Sequence, residues 1–379
     1  MKLLKLFLLA LLVSSSTISC SKDEDDIGPQ AVKPGDKRDF TVENFIYKGM
    51  NLYYLYKADI PQLANDYFDT QSQLNDFIDN YPTPEDFFYD GVVASQDRFS
   101  WIVDDYIELE NSFAGITKTS GMSYVLSYYS EDSNNIFGVV RFVEPGTSAQ
   151  VAGVKRGDIF TKVNGEQLTD TNYGALLGGD SYTLNIASIE ENTIIDSGET
   201  VNLTTAVYQS NPVYIAKTLT IDGKKIGYLM YNSFTNEFDE QLNTAFGQFK
   251  ADNVEELILD LRYNSGGDVR TATDLAAMIT YQFPGQVFMK EEWNAELQEY
   301  WEENDPNGLV NKFNTTLRSG TQINSLMLER VYVLTSSRSA SASELIINGL
   351  DPYIDVVQVG DKTTKQIYGI HYLIRFTQF

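Results

Sequence analysis

Apolar residues recur at helical spacing from Thr41 to about Ile116. To about Tyr208 they then fall into short strands broken by turns, and beyond that buried-strand runs alternate with helical stretches. In the first region Phe45, Met50, Leu52, Tyr53, Leu55 and Tyr56 predict one amphipathic helix. Leu74, Phe77 and Ile78 predict a second, and Pro82-Thr83-Pro84-Glu85-Asp86 predicts a helix start. The aromatics here are read as the core of a small helical domain with no chemistry of its own.

Past a boundary near Pro212, Lys225 to Phe234 reads as a strand and Phe238 to Phe249 as a helix. Leu257-Ile258-Leu259-Asp260-Leu261-Arg262 reads as a buried strand, with a helix from about Arg270 to Tyr281. This order predicts an α/β sheet with parallel strands. Between that strand and helix stands Tyr263-Asn264-Ser265-Gly266-Gly267-Asp268, where a Gly-Gly turn lets backbone N–H groups approach a ligand closely. Phosphate binding is excluded, because Gly-Lys-Ser/Thr and the dinucleotide fingerprint are both missing. Further on, the strand-like Val331-Tyr332-Val333-Leu334 runs through Arg338-Ser339-Ala340-Ser341-Ala342-Ser343-Glu344 into the helix-like Leu345 to Leu350. A small-residue corner of this kind either caps the helix or exposes a hydroxyl nucleophile beside helix-start N–H groups.

Composition narrows the chemistry. The 379 residues include 24 Tyr and 21 Phe, enough apolar mass for two or three domains. A net charge of −25 argues against nucleic acid and against electrostatic binding to anionic lipid. The only cysteine is Cys20 and the only histidine His371, so a zinc cluster and a buried Cys nucleophile are excluded. If Ser341 is a nucleophile, a lysine is the more natural base than His371.

The middle region carries Val143-Glu144-Pro145-Gly146-Thr147-Ser148-Ala149 and continues to Asn164-Gly165. Pro145-Gly146 predicts a turn, Ser148 a cap for a short helix that Gly153 ends, and Asn164-Gly165 a hairpin turn. This stretch resembles a PDZ domain. Such domains bind a peptide C-terminus as an added strand and hold its carboxylate on backbone N–H groups. The resemblance puts peptide binding at Gly121, Met122, Ser123 and Tyr124.

Together, the helical segment, the PDZ stretch, Leu259-Asp260-Leu261-Arg262-x-Asn264-x-Gly266-Gly267 and Ser339 to Glu344 resemble the C-terminal processing, or tail-specific, serine peptidases over roughly residues 40 to 365. The resemblance implies an α+β multidomain chain: an N-terminal helical segment (41–116), a PDZ β-sandwich-like domain (117–210) and an α/β (crotonase-like) peptidase domain (211–379), C-terminally incomplete. It further implies Ser341 as nucleophile, an oxyanion hole from the N–H of Ala342 and of Gly266 or Gly267, and a lysine base without metal or cofactor. The substrates implied are protein or peptide C-terminal tails.

The family's lysine lies in G-D/E-x-T-x-G-K. Here Gly360-Asp361-Lys362-Thr363-Thr364-Lys365-Gln366 puts Gln366 at that position, and Lys365 serves only if the strand shifts by one residue. A one-nucleotide frameshift near Thr364 would account for both the displaced lysine and the early stop. The alternative is a catalytically impaired, peptide-binding lipoprotein. At the other end, Lys2 and Lys5 flank the apolar Leu3–Val13, which predicts a secretory signal over 1–19. Ser19-Cys20 resembles a lipobox, which implies lipidation at Cys20 and an anchor in the cell envelope. Residues 20–40 read as an acidic flexible linker, and Ser21 to Asp26 resemble the acidic export signal of Bacteroidetes lipoproteins.

Overall fold

Three separate apolar cores divide the chain, and each is assembled from one contiguous stretch of sequence. The computed structural model describes residues 38–364 apart from Asn192. The predicted signal, Cys20, Lys365, Gln366 and the tail lie outside the described residues.

The first core belongs to helices α1 (Thr41–Tyr53), α2 (Gln71–Ile78) and α3 (Pro84–Asp86), with α4 (Tyr106–Phe113) following. Thr83 caps α3 by accepting the Asp86 N–H, and Pro84 fills its first position, as the sequence predicts. Helix α1 is shorter than expected. Tyr54 turns extended so that its hydroxyl can donate to Asp97 Oδ2 (2.8 Å) and accept the Ala94 N–H (2.9 Å). Leu55 and Tyr56 therefore lie in a separate 3-10 turn. Of the predicted face Met50 is buried, and Ile46 joins it, while Phe45 is 61% and Leu52 45% exposed.

The second core lies under an antiparallel sheet. Its elements are β1 (Ile116–Thr119), β2 (Met122–Tyr128), β3 (Ile136–Val143), α5 (Ser148–Val151), β4 (Ile159–Val163) and β5 (Glu166–Gln167). After them come α6 (Tyr173–Leu177), β6 (Ser181–Glu190), β7 (Thr193–Thr204) and β8 (Ala206–Gln209). The sheet runs β2-β3-β4-β6-β7, so β2 is an edge strand; β5 adds to β4, and β1 pairs with β8 to close the domain. Asn164 and Gly165 both take positive φ (54° and 80°) at the predicted hairpin. Ser148 does not cap α5: its Oγ instead accepts the Thr204 N–H at 2.9 Å, tying α5 to the last strand of the sheet.

The third core fills an α/β unit. Its elements are β9 (Val213–Ile221), β10 (Lys224–Tyr231), α7 (Asp239–Ala251), β11 (Glu256–Asp260) and α8 (Val269–Ile279). They continue with β12 (Val287–Lys290), α9 (Ala295–Asn304), β13 (Val310–Lys312), β14 (Arg330–Thr335), α10 (Ala342–Leu350) and β15 (Asp355–Gly360). The sheet order is β15-β14-β11-β10-β9, parallel except for edge strand β9. Helices α7, α8 and α10 bury Leu242, Phe246, Leu275, Leu345 and their neighbours against it. The β12–β13 ribbon and α9 interrupt the alternation; from α9, Glu296 accepts the buried Lys57 ammonium at 2.8 Å, docking the helical domain.

Candidate active site

Parallel strands deliver their C-terminal loops to one edge of a sheet, and ligands collect there. Here that edge brings the loop after β11 against the loop between β14 and α10. The contact is intimate: a Cβ added to Gly266 would meet Ser341 Cβ at 2.6 Å and Ala342 N at 3.1 Å. Only glycine fits, and its φ of 111° also disfavours any side chain. At Gly267 (φ 134°) an added Cβ would meet the Phe234 carbonyl at 2.3 Å.

Alternate serines of Ser339-Ala340-Ser341-Ala342-Ser343 play different parts. Ser339 Oγ donates to the Leu261 carbonyl at 2.8 Å, and Ser343 Oγ donates to the Asn264 carbonyl at 2.9 Å. Both are buried. Ser336 Oγ adds a third cross-link, donating to the Arg262 carbonyl at 2.5 Å. The middle serine, Ser341, is half-buried at the helix N-terminus with φ 52° and ψ −117°. For a non-glycine residue that conformation costs on the order of 1–3 kcal/mol and survives only where surrounding contacts impose it. Glu344 supports it by accepting the Ser341 N–H at 3.0 Å.

Asn264 holds the glycine loop, a role that sequence reading missed. It is fully buried; its Nδ2 donates to the Tyr231 carbonyl at 2.9 Å and its Oδ1 accepts the Gly266 N–H at 2.8 Å. The Gly266 N–H, one of the two expected oxyanion donors, is thus committed. Those of Gly267 and Ala342 donate to nothing among the described residues. The Asn264 role has a sequence signal after all, an Asn two residues before Gly-Gly, since Asn side chains bond backbone two residues on. Upstream, Asp260 binds Arg262 through Nε (2.9 Å) and Nη2 (2.6 Å) and accepts the Tyr228 hydroxyl at 2.7 Å. Burial alone would raise this carboxyl; the Arg262 and Tyr228 hydrogen bonds outweigh it and hold it below the ordinary range.

The lysine expected at position 365 lies outside the described residues. Thr364 is the last of them. Its N–H donates to the Ser339 carbonyl at 3.0 Å, and its Oγ1 to the Ser337 carbonyl at 2.9 Å. Lys362 is exposed. On the β domain, Met122 and Tyr124 lie on edge strand β2 beside Ser123, with Met122 buried and Tyr124 packed edge-on against Phe160. Gly121 was expected to present its N–H to a carboxylate, but that N–H is taken by Thr119 Oγ1 at 2.9 Å. No group of three or more His, Cys, Asp or Glu suited to a metal ion is found among the described residues.

Comparison with known proteins gives this geometry a lineage. The domain family described as Peptidase family S41 matches residues 225–369, and Peptidase S41 N-terminal domain matches residues 41–101. A carboxyl-terminal-processing protease of Picosynechococcus is 26% identical over 142 residues, 35% of this chain and 33% of its own length. Carboxyl-terminal-processing peptidase 3 of Arabidopsis thaliana is 28% identical over 150 residues, 37% of this chain and 29% of its own. The match therefore spans about a third of these relatives. A crystal structure assigned as an S41 protease of Bacteroides fragilis superposes with a TM-score of 0.62 at 27% identity, covering 88% of this chain and 80% of that one.

Proposed function

From the premise that this chain belongs to peptidase family S41, we propose that it is a serine endopeptidase acting on protein or peptide C-terminal tails. The observation that carries the reading is the pairing of a strained, half-buried Ser341 with two N–H groups, those of Ala342 and Gly267, that donate to nothing among the described residues. Ser341 Oγ attacks the scissile carbonyl. The oxyanion accepts from Ala342 and Gly267, donors fixed before reaction and therefore free of reorganisation cost. Each such donor is worth about 3 kcal/mol of transition-state stabilisation. The leaving amine takes a proton, and water then releases the acyl group.

The base is Lys365. Its neighbour Thr364 is bonded to Ser337 and Ser339 beside the nucleophile, which supports a lysine of this segment in the role. A lysine shielded from water loses part of its pKa and becomes basic near neutrality. Edge strand β2 supports tail capture, because an unpaired edge accepts an added strand. Lipidation at Cys20, after removal of residues 1–19, would tether the protein to the envelope.

The test is cleavage of an unstructured protein by the purified full chain. Cleavage must vanish in Ser341→Ala, a fluorophosphonate must add its mass at Ser341, and amidating the substrate's C-terminus must slow the reaction. Loss of labelled-palmitate incorporation in Cys20→Ala tests the anchor. Gln366, standing where the family carries lysine, favours a second reading, a peptide-binding lipoprotein with an inert peptidase domain. Tail binding with neither cleavage nor fluorophosphonate labelling would select it.

A further inference from the structure

Between the β domain and the loop leading to Ser341 lies a cleft of about 390 Å³, lined by Val125, Val139, Arg141, Arg156, Tyr263 and Arg338. Its charge contrasts with the rest of the chain. The protein carries 53 acidic against 28 basic side chains, yet three arginines converge here. None of the three forms an ion pair with a carboxylate among the described residues.

The arginines are held in place by neutral groups. Arg141 and Arg156 each lie over the Tyr263 ring, 5.4 Å from its centre. Arg156 Nη1 donates to the Arg141 carbonyl at 3.2 Å, and Arg141 Nη2 donates to Ser123 Oγ on edge strand β2 at 2.8 Å. Arg141 Nε is buried with no hydrogen-bond partner among the described residues. An unmatched buried donor on a cation is costly, because it gives up its water and gains no partner. Burial, and after it the charge of Arg338, pulls the Arg141 guanidinium below its ordinary value. A carboxylate in the cleft would lie beside the Arg141 and Arg338 charges and offset their repulsion.

We infer that this cleft is a specificity subsite that binds the carboxylate side chain of an aspartate or glutamate in the segment being cleaved. The inference rests on the peptidase reading for the identity of the bound chain. Two features favour an acidic side chain over a free C-terminus. Val125 and Val139 give the cleft an apolar flank suited to side-chain methylenes. Arg338 stands three residues before Ser341, so the bound group lies close to the bond that breaks rather than at the tail's end.

The test uses the full chain carrying Ser341→Ala, so that binding is read without turnover. Fluorescein-labelled peptides share an apolar C-terminal tail, and a single glutamate is moved stepwise along them; each has a glutamine twin and a C-terminally amidated twin. At one or two positions the glutamate peptide should bind about tenfold tighter than its glutamine twin, the effect of a charge-assisted, bidentate contact. Arg156 and Arg338 are exposed, so Arg156→Gln with Arg338→Gln should fold, as thermal melting checks, and lower the ratio severalfold, with Arg141 alone remaining. Equal binding of every glutamate–glutamine pair overturns the subsite. So does a ratio unchanged by the double substitution, or a carboxylate effect seen only at the C-terminus. Wild-type protein that shows the glutamate preference but never cleaves would refute the peptidase reading while leaving the subsite standing.

Discussion

Gly266 and Ser341 are so close that a single added methyl at Gly266 would fall 2.6 Å from the serine Cβ. Two segments of the α/β unit far apart in sequence are thereby pressed together, and Ser341 stands against the glycine loop. Gly266→Ala should separate them. The expected outcome is about a hundredfold loss of kcat/KM, the scale of a 1 Å misplacement. Steady-state kinetics on an unstructured substrate, with thermal melting to confirm folding, check it. Unchanged kinetics would show that the glycine loop has no part in catalysis.

Ser341 holds positive φ without being glycine. Ser341→Gly should therefore abolish cleavage and at the same time stabilise the fold, by about 1 kcal/mol after a small loss of helix capping. Denaturant unfolding of both proteins reads the difference. A less stable glycine variant would mean that the serine hydroxyl, not its backbone strain, dominates the local energetics.

The loss of Asn264 should weigh more than the loss of the serine bonded to it. Asn264→Ala leaves the Gly266 N–H and the Tyr231 carbonyl unpaired in the interior, a cost of roughly 2–5 kcal/mol. Ser343→Ala removes one bond to an Asn264 carbonyl that still receives the Ala340 N–H, a cost of about 1 kcal/mol. Urea titrations should rank the variants in that order, and the reverse ranking would contradict the clamp.

Asp274 is fully buried on α8. Desolvation, only partly offset by the Asn314 hydrogen bond (2.6 Å) and Arg270, raises its carboxyl to about 6 from 3.8. The folded state keeps this proton after the unfolded chain has lost it, so stability falls as pH rises from about 4 to about 6. Asp274→Asn removes that contribution. The stability difference between variant and wild type should grow in the variant's favour across this window, then level off above it, by on the order of 2–3 kcal/mol. A constant difference would mean Asp274 titrates normally.

Lys365 and Lys362 separate the two ways of reading the final strand. Lys365→Ala should remove cleavage and fluorophosphonate labelling together, because both need the activated hydroxyl. Lys362→Ala, at an exposed turn, should leave both near wild type. Cleavage that survives Lys365→Ala would assign the base to another group.

Much of the layout was legible in the chain. The strand at Val331–Leu334, the helix at Leu345–Leu350, the Asn164-Gly165 hairpin and the parallel order of the last unit all rest on local periodicity and turn chemistry. What failed was local pattern overruled from a distance. Helix α1 stops at Tyr53 because Tyr54 answers to Asp97 and Ala94, and Ser148 serves β7 instead of capping α5. Residues 282–328 gave no reading, and there the short strands β12 and β13 pair with each other across α9.

By itself the sequence determined which residue types stand at the two corners, since glycine pairs and alternating serines act through conformations set within a few residues. Only the tertiary structure decided that Ser339 and Ser343 are braces while Ser341, among the described residues, bonds only within its own helix start, because the braces' partners Leu261 and Asn264 lie 78 and 79 positions away. It also decided that Gly266 spends its N–H on Asn264 while that of Gly267 donates to nothing among the described residues, and that Arg141 and Arg338 share a cleft. Hydrogen bonds saturate and like charges repel according to distance in space, which no one-dimensional spacing records.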